Sequence, residues 1–201
     1  MALFRVEIIW PGKPVVILGG GPSLSASQFR DVAWARLEDR CRVIAVNDSV
    51  YPAWWADWLH AADGKWWRAH IQRVQHFKGI KTTIDPSVPP AWVSGVLNPT
   101  GVTGFDQDSS CCRTGNSSGY QAIHCAIHAG ARRIALLGFD MQGGHWHSGH
   151  AGEAPTNHAE TMVRHFDSLV PAIEKLGIEV INCSPKSALR CFPTVSWADA
   201  L

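Results

Sequence analysis

The chain predicts an α/β fold: a mostly parallel sheet with helices on both faces. Three observations lead there. Short apolar runs rich in β-branched residues recur along the chain, the segments between them carry helical spacing, and the runs end in glycine or polar residues. Continuous apolar runs suit strands covered on both faces, as in parallel sheets whose crossovers lay helices on them.

The elements follow in order. "PVVILGG" (14–20) reads as a buried strand, and "LSASQFRDVAWARLED" follows with helical spacing of Phe29, Val32, Ala33 and Leu37. Pro22 suits an early helical position because proline has no N–H to lose. "CRVIAVND" and "ADWLHAAD" are further strands, ending at Asn47–Asp48 and at Asp63. "GKWWRAHIQRVQHF" is a helix and "GIKTTID" a strand; residues 86–114 are irregular, with one short strand around "WVSGVL". "NSSGYQAIHCAIHAG" is a helix stopped by Gly130, and "RRIALLGFD" a strand ending at Asp140. "NHAETMVRHFDSLVPAIEKLG" is helical, with Asn157 as a candidate cap and Pro171 set to kink or divide it. "IEVINCSP" closes as the last strand.

No linker, repeat or low-complexity tract interrupts the 201 residues, so 1–201 is expected to be a single domain. A net charge of +1 offers no basic field that by itself argues for nucleic acid or membrane. The six cysteines form no CxxC pair and read as reduced thiols, the N-terminus lacks signal-peptide features, and no run nears the roughly 20 apolar residues of a membrane span. A cytoplasmic location is the expectation. Five of the ten tryptophans fall in "WWADWLHAADGKWW", as core residues or as an aromatic wall for a sugar or base ring.

In parallel α/β sheets, ligands bind outside the carboxyl ends of the strands. That rule turns the polar strand ends into site candidates. Gly19, Gly20 and Gly21, followed by Pro22 and Ser23, occupy the first strand-to-helix turn, where glycine lets the backbone approach a phosphate. The run lacks both the third glycine of GxGxxG, where Leu24 stands, and the GK[ST] of a P-loop. Asn47 and Asp48 sit where a second strand contacts a ribose or base, although Asp48 serves equally well as a cap. "TGNSSG" places Thr114, Asn116, Ser117, Ser118 and Gly119 at another helix start, as caps or as a second cradling turn. Asp140, ending a buried strand, must face solvent, a cation or a ligand hydroxyl.

"VVILGGGPSL", "AVND", "GNSSGYQAIHCAIHAGARRIALLGFDM", a histidine loop and "INCSPKSALRCFP" occur in that order. Together they resemble the bacterial sialyltransferases that decorate lipooligosaccharides and the related 6-hydroxymethylpterin pyrophosphokinase-like proteins. The pattern is also similar to proteins of prophage genomes. The resemblance implies a Rossmann-like sheet holding a nucleotide sugar. By motif, donor contacts fall to Gly20, Gly21, Pro22, Ser23, Asn47, Ser117, Ser118, Gly119, Gly138, Asp140 and the adjoining Met141. A catalytic histidine is implied in the loop after "GFD". The family's phosphate-holding tyrosines have no counterpart there, since the only tyrosines are Tyr51 and Tyr120. Phosphate charge therefore needs Arg113, a loop histidine or a metal ion.

"GGHWHSGH" carries His145, His147 and His150 directly after that strand end. Three readings stand: a zinc site, a general base with pKa near neutrality, or solvated loop histidines. His147 ranks first as base, then His150, then His145. The resulting expectation is a glycosyltransferase moving a sugar from a nucleotide-linked donor to the hydroxyl of a glycan or of a hydroxymethylated phage DNA base. Two alternatives accompany it. One is a pyrophosphokinase acting on a pterin-like alcohol, with magnesium on Asp48, Asp63 or Asp140. The other is a nucleotide-binding module without catalysis.

Overall fold

The computed structural model describes residues 3–142 and 156–201. Strand β1 (Pro14–Leu18), helix α1 (Ala26–Leu37), β2 (Arg42–Val46), β3 (Trp58–His60), α2 (Gly64–Val74), β4 (Ile80–Thr83) and β5 (Gly95–Val96) form the first half. A small parallel pair follows, β6 (Asn98–Pro99) with β7 (Cys111–Cys112), and then α3 (Ser118–His128) and β8 (Arg133–Leu137). Helices α4 (Thr156–Asp167) and α5 (Val170–Lys175) lead to β9 (Glu179–Asn182).

Among the described residues, seven strands make one sheet in the order β5-β4-β3-β2-β1-β8-β9, and every neighbouring pair is parallel. The α/β expectation holds. Side chains alternate along each strand, so each central strand feeds two cores. Val15 and Ile17 join one cluster with Ile123 of α3, Phe166 of α4 and Ile173 of α5. Val16 and Leu18 join the other with Phe29 and Val32 of α1 and Trp67 and Ile71 of α2. The tryptophan segment divides accordingly: Trp58 and Trp67 are fully buried in opposite cores, whereas Trp54 is exposed.

Two helix starts, at Pro22 and at Asn157, differ from expectation, whereas the expected division at Pro171 is observed. Pro22 lies ahead of α1 rather than in it. Ser25 caps the helix by accepting from Gln28 N–H, while the Gln28 side chain accepts from Ser25 N–H. That reciprocal box satisfies two donors at once and outcompetes an earlier start. The long C-terminal helix is divided, with Pro171 in the first turn of α5, where its missing N–H costs nothing. Asn157 lies within α4 rather than capping it. Among the described residues, no helix is long and apolar enough to cross a membrane.

The strand order reverses at β1. Its sequence neighbour β2 pairs on one side, while β8, more than a hundred residues later, pairs on the other. A topological switch point therefore opens between the carboxyl ends of β1 and β8, the usual crevice for ligands in such sheets.

Candidate functional site

The switch point is built from two turns pressed together. Gly19 N–H donates to Leu137 O (2.7 Å) and Gly21 N–H to Gly138 O (2.7 Å), so the first glycine turn continues the β1–β8 ladder beyond the strands. Gly138 has φ +71°, a conformation that favours glycine. A Cβ on Gly21 would sit 2.1 Å from Asp140 Oδ2, so the side chain of Asp140 occupies the space that glycine leaves.

Asp140 is 4% exposed, and Ser23 answers its carboxylate twice. The Ser23 hydroxyl donates to Oδ2 at 2.8 Å and the Ser23 backbone N–H at 3.2 Å. Ser23 and Asp140 line one groove of about 680 Å³, together with Pro22, Ser25, Gln28, Gln142, Pro185 and Lys186. Such a volume suits a drug-sized or nucleotide-sized ligand.

Sequence reasoning missed the support beneath this turn. Ser184, buried after β9, accepts from Phe139 N–H (2.9 Å), and the Ser187 hydroxyl donates to Phe139 O (2.5 Å). Ala188 N–H donates to Asp140 O (2.8 Å). The "NCSP" rim signal was visible, but its clamp on the neighbouring strand end was not.

The other expected residues take varied places on the same rim. Asn47, Asn116 and Met141 all have positive φ, +51°, +52° and +55°. Non-glycine residues in that region are uncommon and gather at functional sites. The Ser49 hydroxyl donates to Gly19 O and ties the end of β2 to the glycine turn. Asp48 accepts from the Trp66 indole N–H (2.7 Å) and lies 3.8 Å from His70 Nε2, whose ring stacks on Trp66. Ser117 occupies the α3 cap position without a side-chain cap bond, and Ser118 instead accepts from Ala62 N–H (3.2 Å). A Cβ on Gly119 would lie 2.7 Å from the Phe139 ring, so this glycine lets α3 pack against the "GFD" turn.

Beneath the second polar turn lies a buried network. His60 Nε2–H donates to Gln121 Oε1 (2.8 Å), His60 Nδ1 accepts from the Thr82 hydroxyl (2.9 Å), and Gln121 Nε2 donates to Thr114 O (2.9 Å). Burial pushes the His60 imidazole down to about 4, so the ring is neutral near pH 7. The network fixes the loop before α3 relative to β3 and β4. Its signal was a lone histidine in an apolar strand.

The charged candidates lie apart and have different partners. Arg113 is committed elsewhere, donating to Thr100 O (2.7 Å) and lying 3.5 Å from Asp106 Oδ2. Asp48, Asp63 and Asp140 are not gathered. Asp63 is exposed at the start of α2, Asp48 is held by Trp66, and Asp140 by Ser23. No group of three or more His, Cys, Asp or Glu able to hold a metal ion occurs among the described residues. His145, His147 and His150 lie outside the described residues.

No family model and no curated protein matches the chain. Among solved structures it is similar to the MAf glycosyltransferase from Magnetospirillum magneticum AMB-1, with TM-score 0.66 and 16% identity over 98% of this chain. The chain spans 35% of that protein's length. It also matches the sialyltransferase CstII from Campylobacter jejuni in complex with CMP-3FNeuAc, at TM-score 0.48 and 13% identity over 92% of this chain and 86% of that one. A sialyltransferase CST-II with trisaccharide acceptor and CMP matches at TM-score 0.49 and 13% identity, over 94% and 88%. At these identities the likeness is one of fold.

Proposed function

We propose that this chain transfers a sugar from a nucleotide-linked donor to an acceptor hydroxyl, with the nucleotide lying across the β1–β8 switch point. The observation that carries this reading is the Ser23–Asp140 pair, a buried carboxylate oriented at the crevice by the glycine turn. Asp140 retains lone pairs beyond those used by Ser23, and a ribose offers hydroxyl donors to them. The tight glycine turn brings backbone close to where a phosphate would lie. A fold shared with a glycosyltransferase supports the reaction class by analogy only.

In this reading a histidine of the 145–150 loop, His147 first, takes the acceptor proton while the acceptor oxygen attacks the anomeric carbon. Displacement in one step inverts that centre. Ser117, Ser118 and Asn47 would contact the donor from neighbouring strand ends, and residues 1–201 would act as one nucleotide-binding domain.

The test is a thermal-shift panel of nucleotides and nucleotide sugars, with and without magnesium, followed by turnover assays on any donor that binds. A ligand selective for the folded state raises the melting temperature by mass action. Stabilisation by a nucleotide sugar without magnesium, with sugar transfer, supports the proposal. Stabilisation by ATP only with magnesium would favour a pyrophosphokinase, and binding without turnover a non-catalytic module.

A further inference from the structure

We infer that Lys186 binds the phosphate of the nucleotide and takes up the charge that develops when the sugar leaves. The inference rests on the nucleotide reading above and assigns the cation that reading lacks. Of the described residues lining the switch-point groove, Lys186 alone is cationic. Among the described residues its ammonium forms no ion pair, whereas Arg113 is engaged with Thr100 and Asp106.

The placement is built rather than incidental. Lys186 sits between Ser184 and Ser187, both buried and both hydrogen-bonded to the backbone of Phe139. The side chain of Gln142 donates to Lys186 O, and Ala188 N–H holds Asp140 O at 2.8 Å. The turn carrying the lysine is thus clamped on both sides to the strand end carrying the aspartate. One groove then presents an acceptor for ribose hydroxyls at Asp140 and a cation for phosphate at Lys186. A nucleotide has the matching pattern, with donors on the sugar and negative charge on the phosphate.

The charge balance of transfer gives the lysine its task. The acceptor oxygen forms a bond to the anomeric carbon, and its proton passes to the histidine. The bond from the anomeric carbon to the phosphate oxygen breaks, and its electron pair stays on that oxygen. Negative charge therefore grows on the phosphate as the sugar departs. An ammonium carried into the groove on a clamped backbone turn stabilises that charge.

The test compares nucleoside monophosphates with their uncharged nucleosides, by calorimetry on the whole chain and on Lys186→Gln. Because Lys186 is exposed, the variant should melt as the native chain does. For the monophosphate that binds, Lys186→Gln should weaken affinity by about 10- to 100-fold, the usual share of a charged hydrogen bond. Affinity for the nucleoside should not change, and Lys186→Arg should recover much of the loss. Equal monophosphate affinity in native and Lys186→Gln proteins would overturn the role of Lys186 and leave the nucleotide reading standing. A native chain that binds none of the nucleotides would overturn both.

Discussion

Ser23 and Asp140 lie 117 positions apart, yet the serine gives the aspartate both its hydroxyl and its backbone N–H, at 2.8 and 3.2 Å. The bond joins the carboxyl ends of the two strands that flank the switch point. It places a negative charge where the glycine turn bends away from the sheet. Both bonds fall on Oδ2, so the proposed ligand contact and the structural role of the carboxylate can be tested separately.

Asp140→Asn makes that separation. The amide oxygen can still accept from Ser23, so stability should fall by only about 1 kcal/mol, reflecting weaker neutral hydrogen bonds. The amide nitrogen replaces an acceptor with a donor, and nucleotide affinity should drop at least about tenfold. Parallel melting and titration measurements check this. A large loss of stability with intact binding would make Asp140 structural.

Gly21→Ala probes the same contact from the other side. The added methyl would meet Asp140 Oδ2 and also Gly138 O, at 2.1 and 2.7 Å. The carboxylate or the turn must move, at a cost of about 1–3 kcal/mol. Nucleotide binding should be lost along with the Ser23 bonds. Full affinity in a folded variant would remove the glycine turn from the site.

Acid should destabilise the fold through its buried histidines. Burial pushes His60 down to about 4 and His124 to about 3. An unfolded histidine titrates near 6.5. Below about pH 6.5 the unfolded chain binds protons that the folded chain refuses. Stability is therefore fully present above that pH and falls as pH is lowered, by up to about 1.4 kcal/mol per pH unit for each group. The loss levels off once His60 titrates near 4 and His124 near 3. Urea unfolding between pH 7.5 and 4.5 reads this slope. His60→Phe should be less stable at pH 7.5, because Gln121 Oε1 loses its donor, and should show a shallower slope.

His147→Ala should lower turnover by about 10² to 10⁴-fold, the usual share of acid–base catalysis, with donor affinity nearly constant. The ascending limb of the native pH–rate profile should disappear with it. Native rates in all three single alanine variants at His145, His147 and His150 would place the base elsewhere on the rim.

The amino-acid sequence by itself determined the main strands, the helices between them and the polar strand ends. "PVVIL", "RVIAV" and "RIALL" encode strands buried on both faces, and the glycine and aspartate endings mark one edge of a parallel sheet. These signals are local, so they survive without a structure. Tertiary structure decided which ends meet. The apolar runs resemble one another, and nothing local states that β8 lies beside β1, so the Ser23–Asp140 bond was not legible. Nor was the clamp of Ser184 and Ser187 on Phe139, which depends on β9 pairing with β8. The same dependence set the partners of the charged groups. Arg113 is committed to the β6–β7 region, and of the three aspartates, alike as strand ends, Asp48 and Asp140 are held by different partners while Asp63 is exposed. A residue type offers a chemistry, but strand order decides which partner consumes it.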